Sequence, residues 1–87
     1  MRAGTHYAES GHWVDVILGH IAFDGRIEQD DRLPFTSGLR FGQAMDSAER
    51  AMDEYADRED AVVVAVYAPT GDEVVAWLRD GDDWRRA

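Results

Sequence analysis

The chain contains no cysteine, no lysine and only two prolines. Without cysteine it has no disulfide, no thiolate metal ligand and no cysteine nucleophile. Without lysine, its nine basic side chains are all arginines. Two readings fit that bias, the codon usage of a GC-rich genome and adaptation of an acidic surface to salt. The excess of Asp over Glu, twelve to six, fits either. Long apolar runs are also missing. The longest, Trp13 to Phe23, is broken by Asp15 and His20 and falls short of the ~20 apolar residues that span a bilayer. The first residues, Met1 to His6, lack the apolar stretch of a signal peptide, so the expected compartment is the cytoplasm. Glycines occur singly, so no phosphate-cradling loop is present.

What is abundant is negative charge. Eighteen carboxylates face nine arginines, a formal net charge of −9 over 87 residues. Such a surface repels phosphate backbones and anionic lipid, because nucleic-acid affinity relies on protein cations that displace counterions. It favours a protein partner with a basic surface, reached by electrostatic steering. The plainer reading is that the charge keeps a small domain soluble.

The apolar fraction of 45% is that of a globular chain, and its clustering argues against an acidic disordered tail. One domain over residues 1–87 is expected, with 1–11 and 80–87 loosely ordered and Trp84 turned back onto the rest. The β-branched and aromatic run from His12 to Phe23, then Asp24-Gly25, then Arg26 to Gln29, predicts a hairpin with strands near 12–23 and 26–30 and a two-residue Asp-Gly turn. Asp30 to Arg40, with Pro34 and Thr36-Ser37-Gly38, predicts a loop and helix-capping chemistry. A helix follows from near Leu39 to near Arg58. Its apolar stripe is Phe41, Met45, Ala48, Met52 and Tyr55, with Ala44, Ala51 and Ala56 alongside. Asp46–Arg50 and Glu54–Arg58 are spaced for ion pairs along it. Ala61 to Ala68 is apolar on both faces, as in a central strand. Pro69 to Asp72 turns the chain into a returning strand, Glu73 to Arg79. The fold class is therefore α+β, ordered ββαββ: an antiparallel sheet of about four strands with one amphipathic helix on one face. On the other face Trp13, Tyr67 and Trp77 are expected to leave an apolar patch for a partner.

No motif for catalysis or cofactor binding emerges. His12 and His20 lie eight residues apart, more than ~20 Å along a straight strand, and no HExxH or HxH pattern accompanies them. Among the serines, Ser37 and Ser47 have structural readings, and Ser10 lies in the loose N-terminal segment. Neither an enzyme, a metal site nor a cofactor is expected. The best functional candidate is the acidic helix face, Asp46, Glu49, Asp53, Glu54 and Asp57, ending at Asp60 and flanked by Asp30 and Asp31. The tail adds Asp80, Asp82 and Asp83. A helical turn advances ~5.4 Å, so such a row resembles phosphates spaced along a strand. Arg50 and Arg58 interrupt it. A second candidate is addition of an outer strand to a partner's sheet, which would give a homodimer.

The order of elements resembles small bacterial and phage domains with a ββαβ(β) core. The likeness is clearest from Met45 to Trp77, with its alanine-rich helix, valine strand, glycine turn and return strand. In size, charge and topology the chain also resembles small acidic phage-encoded inhibitors of the anti-CRISPR or DNA-mimic type. That likeness implies a non-catalytic binding module that blocks a basic nucleic-acid-binding site on a host complex. Antitoxins of the HicB type likewise pair a short sheet with an alanine-rich helix, though in a different strand order. They would imply the alternative, a small homodimeric regulatory domain. Neither resemblance rests on a motif, and neither assigns a site residue.

Overall fold

The computed structural model describes residues 11–87. They form β1 (His12–Ile21), β2 (Ile27–Leu39), α1 (Phe41–Glu54), β3 (Ala61–Tyr67), β4 (Glu73–Asp80) and β5 (Asp83–Arg86). The strands make one five-stranded antiparallel sheet in the order β2-β1-β3-β4-β5. Both β2 and β3 pair antiparallel with β1, one on each side, so they run parallel to each other. The link between them must cross over β1. α1 makes that crossing and packs on β1, β2 and β3. Among the described residues, no helix is long and apolar enough to cross a membrane.

The α+β class and the single helix on the sheet agree with expectation, with one more strand than about four. The helix buries the alanine side of the expected apolar face. Ala44, Ser47, Ala48 and Ala51 are its buried residues, while Phe41 is 47% exposed and Met45, Met52 and Tyr55 lie at the margin of the core. Ala48 of the expected stripe and its flanking Ala44 and Ala51 take the centre, because methyl groups let the helix axis approach the sheet. They meet Val14 and Val16 of β1, Val64 and Val66 of β3, and Val75 of β4. Ser47, 1% exposed, is satisfied by a 2.6 Å hydrogen bond with Thr36. The helix starts one residue after the strand ends. Arg40 is the N-cap in extended conformation, and its N–H donates to Gln43 Oε1 at 3.0 Å, half of a capping box. Thr36, Ser37 and Gly38, expected to cap, belong to β2 instead.

Three other segments differ from expectation. The loop expected from Asp30 to Arg40 is strand through Leu39. An edge strand tolerates Pro34, and the irregular sequence is absorbed by register shifts opposite His12/Val14, Val14/Asp15 and Leu18/Gly19. The first hairpin turn is not a two-residue Asp-Gly turn. Ala22 N–H donates to Arg26 O (2.6 Å), Gly25 N–H donates to Ala22 O (2.8 Å), and only Gly25 has positive φ, +89°. That is a three-residue loop closed by a left-handed glycine. The second hairpin repeats it at Ala68 to Asp72, with Pro69 in the place of Phe23. The tail expected to be loose forms β5, returned by Gly81-Asp82, with Asp80 paired to Asp83. Trp84 packs against the core as expected. Residues 1–10 of the expected loose N-terminal segment lie outside the described residues.

On the sheet face opposite α1, Trp13, Ile17, Val63, Ala65, Tyr67 and Ala76 form a second cluster. Trp13 and Tyr67 stack at 5.2 Å and are 7% and 8% exposed, while Trp77 packs on the helix side. The three aromatics therefore do not make one exposed patch. The alternation of side chains along β3 and β4 puts Trp77, opposite Val64, on the face away from Tyr67.

Gly19 shows how closely β2 lies against β1. A Cβ there would collide with the Glu28 carbonyl oxygen, and Gly19 N–H donates to Asp60 O at 2.7 Å. Gly19→Ala is expected to lower unfolding free energy by at least about 2 kcal/mol, read from the urea midpoint. An unchanged midpoint would mean that the bulge is not held as described.

Candidate functional site

The helix acids Asp46, Glu49, Asp53 and Glu54 are all exposed, as expected. Asp57 and Asp60 lie beyond the helix, which ends at Glu54, so the row loses its helical spacing there. The end is set by Arg79 of β4, whose Nη2 donates to the carbonyl oxygens of Tyr55 (3.0 Å), Ala56 (3.0 Å) and Arg58 (2.8 Å). An arginine from another element here satisfies the orphan carbonyls that a C-cap glycine commonly serves. Arg58 turns to Asp60 at 2.8 Å rather than to Glu54, and Arg50 has no ion pair among the described residues. Neither expected helical ion pair forms.

Asp30 and Asp31 do not join the row. β2 and β5 are opposite edges of the sheet, separated by four strand spacings of ~4.8 Å each. Asp30 faces His20 at 3.4 Å, beside Glu28 at 3.2 Å from the same ring, and Asp31 accepts the Arg32 N–H at 2.8 Å. His12 and His20 sit at opposite ends of β1, and no group of three or more His, Asp or Glu side chains among the described residues is placed to hold a metal ion.

What the fold does bring together is the helix and the tail. Because β5 returns along β4, Asp82 and Asp83 face Glu49 and Asp53 across a hollow of about 390 Å³ whose apolar lining is Met52, Ala56 and Trp84. None of these four carboxylates makes an ion pair among the described residues. Like charges crowded without counter-charge are a standing electrostatic cost, relieved by a cationic ligand. The Trp84 ring lies under the Arg79 guanidinium at 4.5 Å, which fixes one wall. Trp84 turns back as expected, but neither the strand that carries it nor the contribution of Arg79 was legible beforehand. The available signal was Gly81-Asp82, a two-residue hairpin pair.

A second polar cluster lies on the far sheet face. Asp15 is 4% exposed. Arg32 Nη1 donates to Asp15 Oδ2 at 3.3 Å and to the Tyr67 hydroxyl at 2.9 Å, and the guanidinium covers the Tyr67 ring. Burial pushes the Asp15 carboxyl above the ordinary aspartate value, opposed by the charge of Arg32 and by hydrogen bonds from Trp13 and Arg32. Tyr67 is likewise raised by burial, against the pull of Arg32. With no concave site beside it among the described hollows, this cluster reads as a structural tie between β1, β2 and β3.

No protein-family model, curated protein or solved structure matches the chain. The site is therefore read from its own chemistry.

The far-face cluster has a pH signature. A carboxyl raised on folding contributes stability that is fully present below its unfolded value and lost as pH rises through the folded one. Removing Arg32 raises Asp15 further and leaves a buried charge unpaired at neutral pH. Arg32→Ala is expected to cost on the order of 1–2 kcal/mol at pH 7.5, a discounted figure because Arg32 is half exposed. The cost should shrink below about pH 4, where Asp15 is neutral in both states. Paired urea titrations at the two pH values check this, and a pH-independent cost would refute it.

Proposed function

We propose that this domain is a non-catalytic, acidic protein-binding module that occupies the basic, nucleic-acid-binding surface of a partner, in the manner of a phage- or mobile-element-encoded inhibitor. The observation that carries the reading is the convergence of Glu49 and Asp53 from the helix with Asp82 and Asp83 from the tail around one hollow, all four without ion pairs among the described residues. Residues some thirty positions apart in sequence form one concentrated negative face. Such a face accelerates encounter with a cationic surface and discriminates against other acidic partners. It also repels nucleic acid, so competition for the partner would be direct.

The alternative, a homodimer paired through the sheet, is opposed by both edges. β2 carries Pro34, three register shifts in its pairing with β1 and the charged residues Glu28, Asp30, Asp31 and Arg32, and β5 is only four residues long with Asp83, Arg85 and Arg86. These are the features by which natural sheets discourage strand addition.

The test is displacement of a fluorescent single-stranded oligonucleotide from an arginine-rich nucleic-acid-binding domain. The wild-type protein is expected to displace it, less effectively as salt rises. Glu49→Arg with Asp53→Arg should raise the concentration needed by about tenfold or more, whereas Asp30→Arg with Asp31→Arg, an equal change in net charge, should alter it by less than about threefold. Equal losses would mean that net charge acts without a site, and no displacement by the wild-type protein would refute the reading.

A further inference from the structure

Near the end of β1 a single side chain meets two carboxylates of the neighbouring strand. His20 lies directly opposite Glu28 of β2. Its Nε2 is 3.2 Å from Glu28 Oε1, and its Nδ1 is 3.4 Å from Asp30 Oδ2. A side chain can reach both its cross-strand and its diagonal neighbour on one sheet face. A neutral imidazole, however, has one N–H and one lone pair, so it donates to one carboxylate and turns a lone pair to the other. The imidazolium, with two N–H groups, satisfies both contacts.

The position is not an ordinary rung of the ladder. Pairing steps from Leu18–Asp31 to Gly19–Gln29, which leaves Asp30 as the extra residue of a β-bulge in the edge strand. On the β1 side the backbone is tied down. A Cβ on Gly19 would collide with the Glu28 carbonyl oxygen, and the Gly19 N–H donates to Asp60 O. On the β2 side the bulge lacks a rung, and the ion-pair partner of Asp30 among the described residues is His20 alone. Glu28 has a second neighbour, Arg26 Nη2 at 3.7 Å, which also holds Asp24 through Nε at 2.7 Å. From the connection ahead of β3, Glu59 and Asp60 line a hollow with His20, and Asp60 is engaged by Arg58 at 2.8 Å. The charges around the ring are therefore Glu28 and Asp30 from β2 and Glu59 and Asp60 from that connection, with Arg26 and Arg58 turned to acids.

We infer that His20 is a pH-sensitive clasp on the edge-strand bulge. Protonated, it bridges Glu28 and Asp30 and holds the bulge against β1. Neutral, it keeps its Nε2–H on Glu28, the shorter contact, and releases Asp30 to water. Histidine is the side chain whose charge changes between pH 5 and 8, a range in which ordinary carboxylates stay ionised. A bulge is one of the devices that keep an edge strand from pairing with another chain. Release of Asp30 therefore loosens a guard on the β2 edge. The clasp stands apart from the acidic binding face, and neither depends on the other.

The His20 side chain is 57% exposed, so the effect is local and small. Amide hydrogen exchange of the full chain at pH 5 and pH 8 reads it, with protection factors of residues 28–31 taken relative to those of β3. That relative protection is expected to fall by about two- to fivefold from pH 5 to pH 8, the range set by one partly exposed ion pair. In His20→Gln, whose side chain does not titrate, it should be the same at both pH values. Asp30→Asn, which removes the charge that is released, should also flatten the response. The imidazole nitrogen shifts at pH 8 should report the Nε2–H tautomer of His20. A pH response equal in the wild-type protein and His20→Gln overturns the clasp, as does an Nδ1–H tautomer at pH 8.

Discussion

The contact on which the rest of the structure depends is the alanine face of α1 laid against the valines of β1 and β3. Ala44, Ala48 and Ala51 are fully buried, as are Val14, Val16, Val64 and Val66. Small side chains on the helix and β-branched ones on the sheet bring the two layers close, and the burial of that apolar surface drives the assembly. The crossing of α1 over β1 follows from it, because the helix must link two strands that flank β1. Once the inner face is committed, Asp46, Glu49, Asp53 and Glu54 can only point outward.

Arg79 adds the second constraint. It anchors the chain just past the helix to β4 through three carbonyls, and its guanidinium covers the Trp84 ring on β5. One side chain thus holds three elements in register at the end of the sheet where the acidic hollow lies. A cation buried there also offsets part of the negative charge around it and the negative end of the helix dipole. The acidic hollow thus has one buried positive charge beside it, short of the four carboxylates at its rim.

Strong local patterns were legible in the sequence. The valine strand at Ala61, the antiparallel hairpins and the amphipathic period of the helix all follow from the spacing of apolar residues, and the α+β layering follows from the need to bury one face of each. Segments with mixed patterns were not legible. Pro34 and the Thr36-Ser37-Gly38 run carry loop chemistry, yet the edge of a sheet accepts them, because unpaired backbone groups there face water and bulges absorb the misfit. β5 is too short to announce itself by periodicity, and its pairing with β4 is what orders it. The helix stripe was centred on its larger residues with alanines alongside, whereas closeness of approach puts the alanines at the centre.

The sequence by itself determined that the protein is acidic on its surface, apolar in its strands, and free of cysteine chemistry, because composition and period act locally and do not depend on where the chain goes next. It also marked the helix acids Glu49 and Asp53. Only the tertiary structure decided which other acids join them. Asp30 and Asp31, adjacent in the sequence-level argument, go to the far edge of the sheet, while Asp82 and Asp83 come beside the helix with Trp84 and Arg79. The reason is topological: strand order places β2 and β5 at opposite edges, and strand order is set by long-range pairing that no local window of residues records.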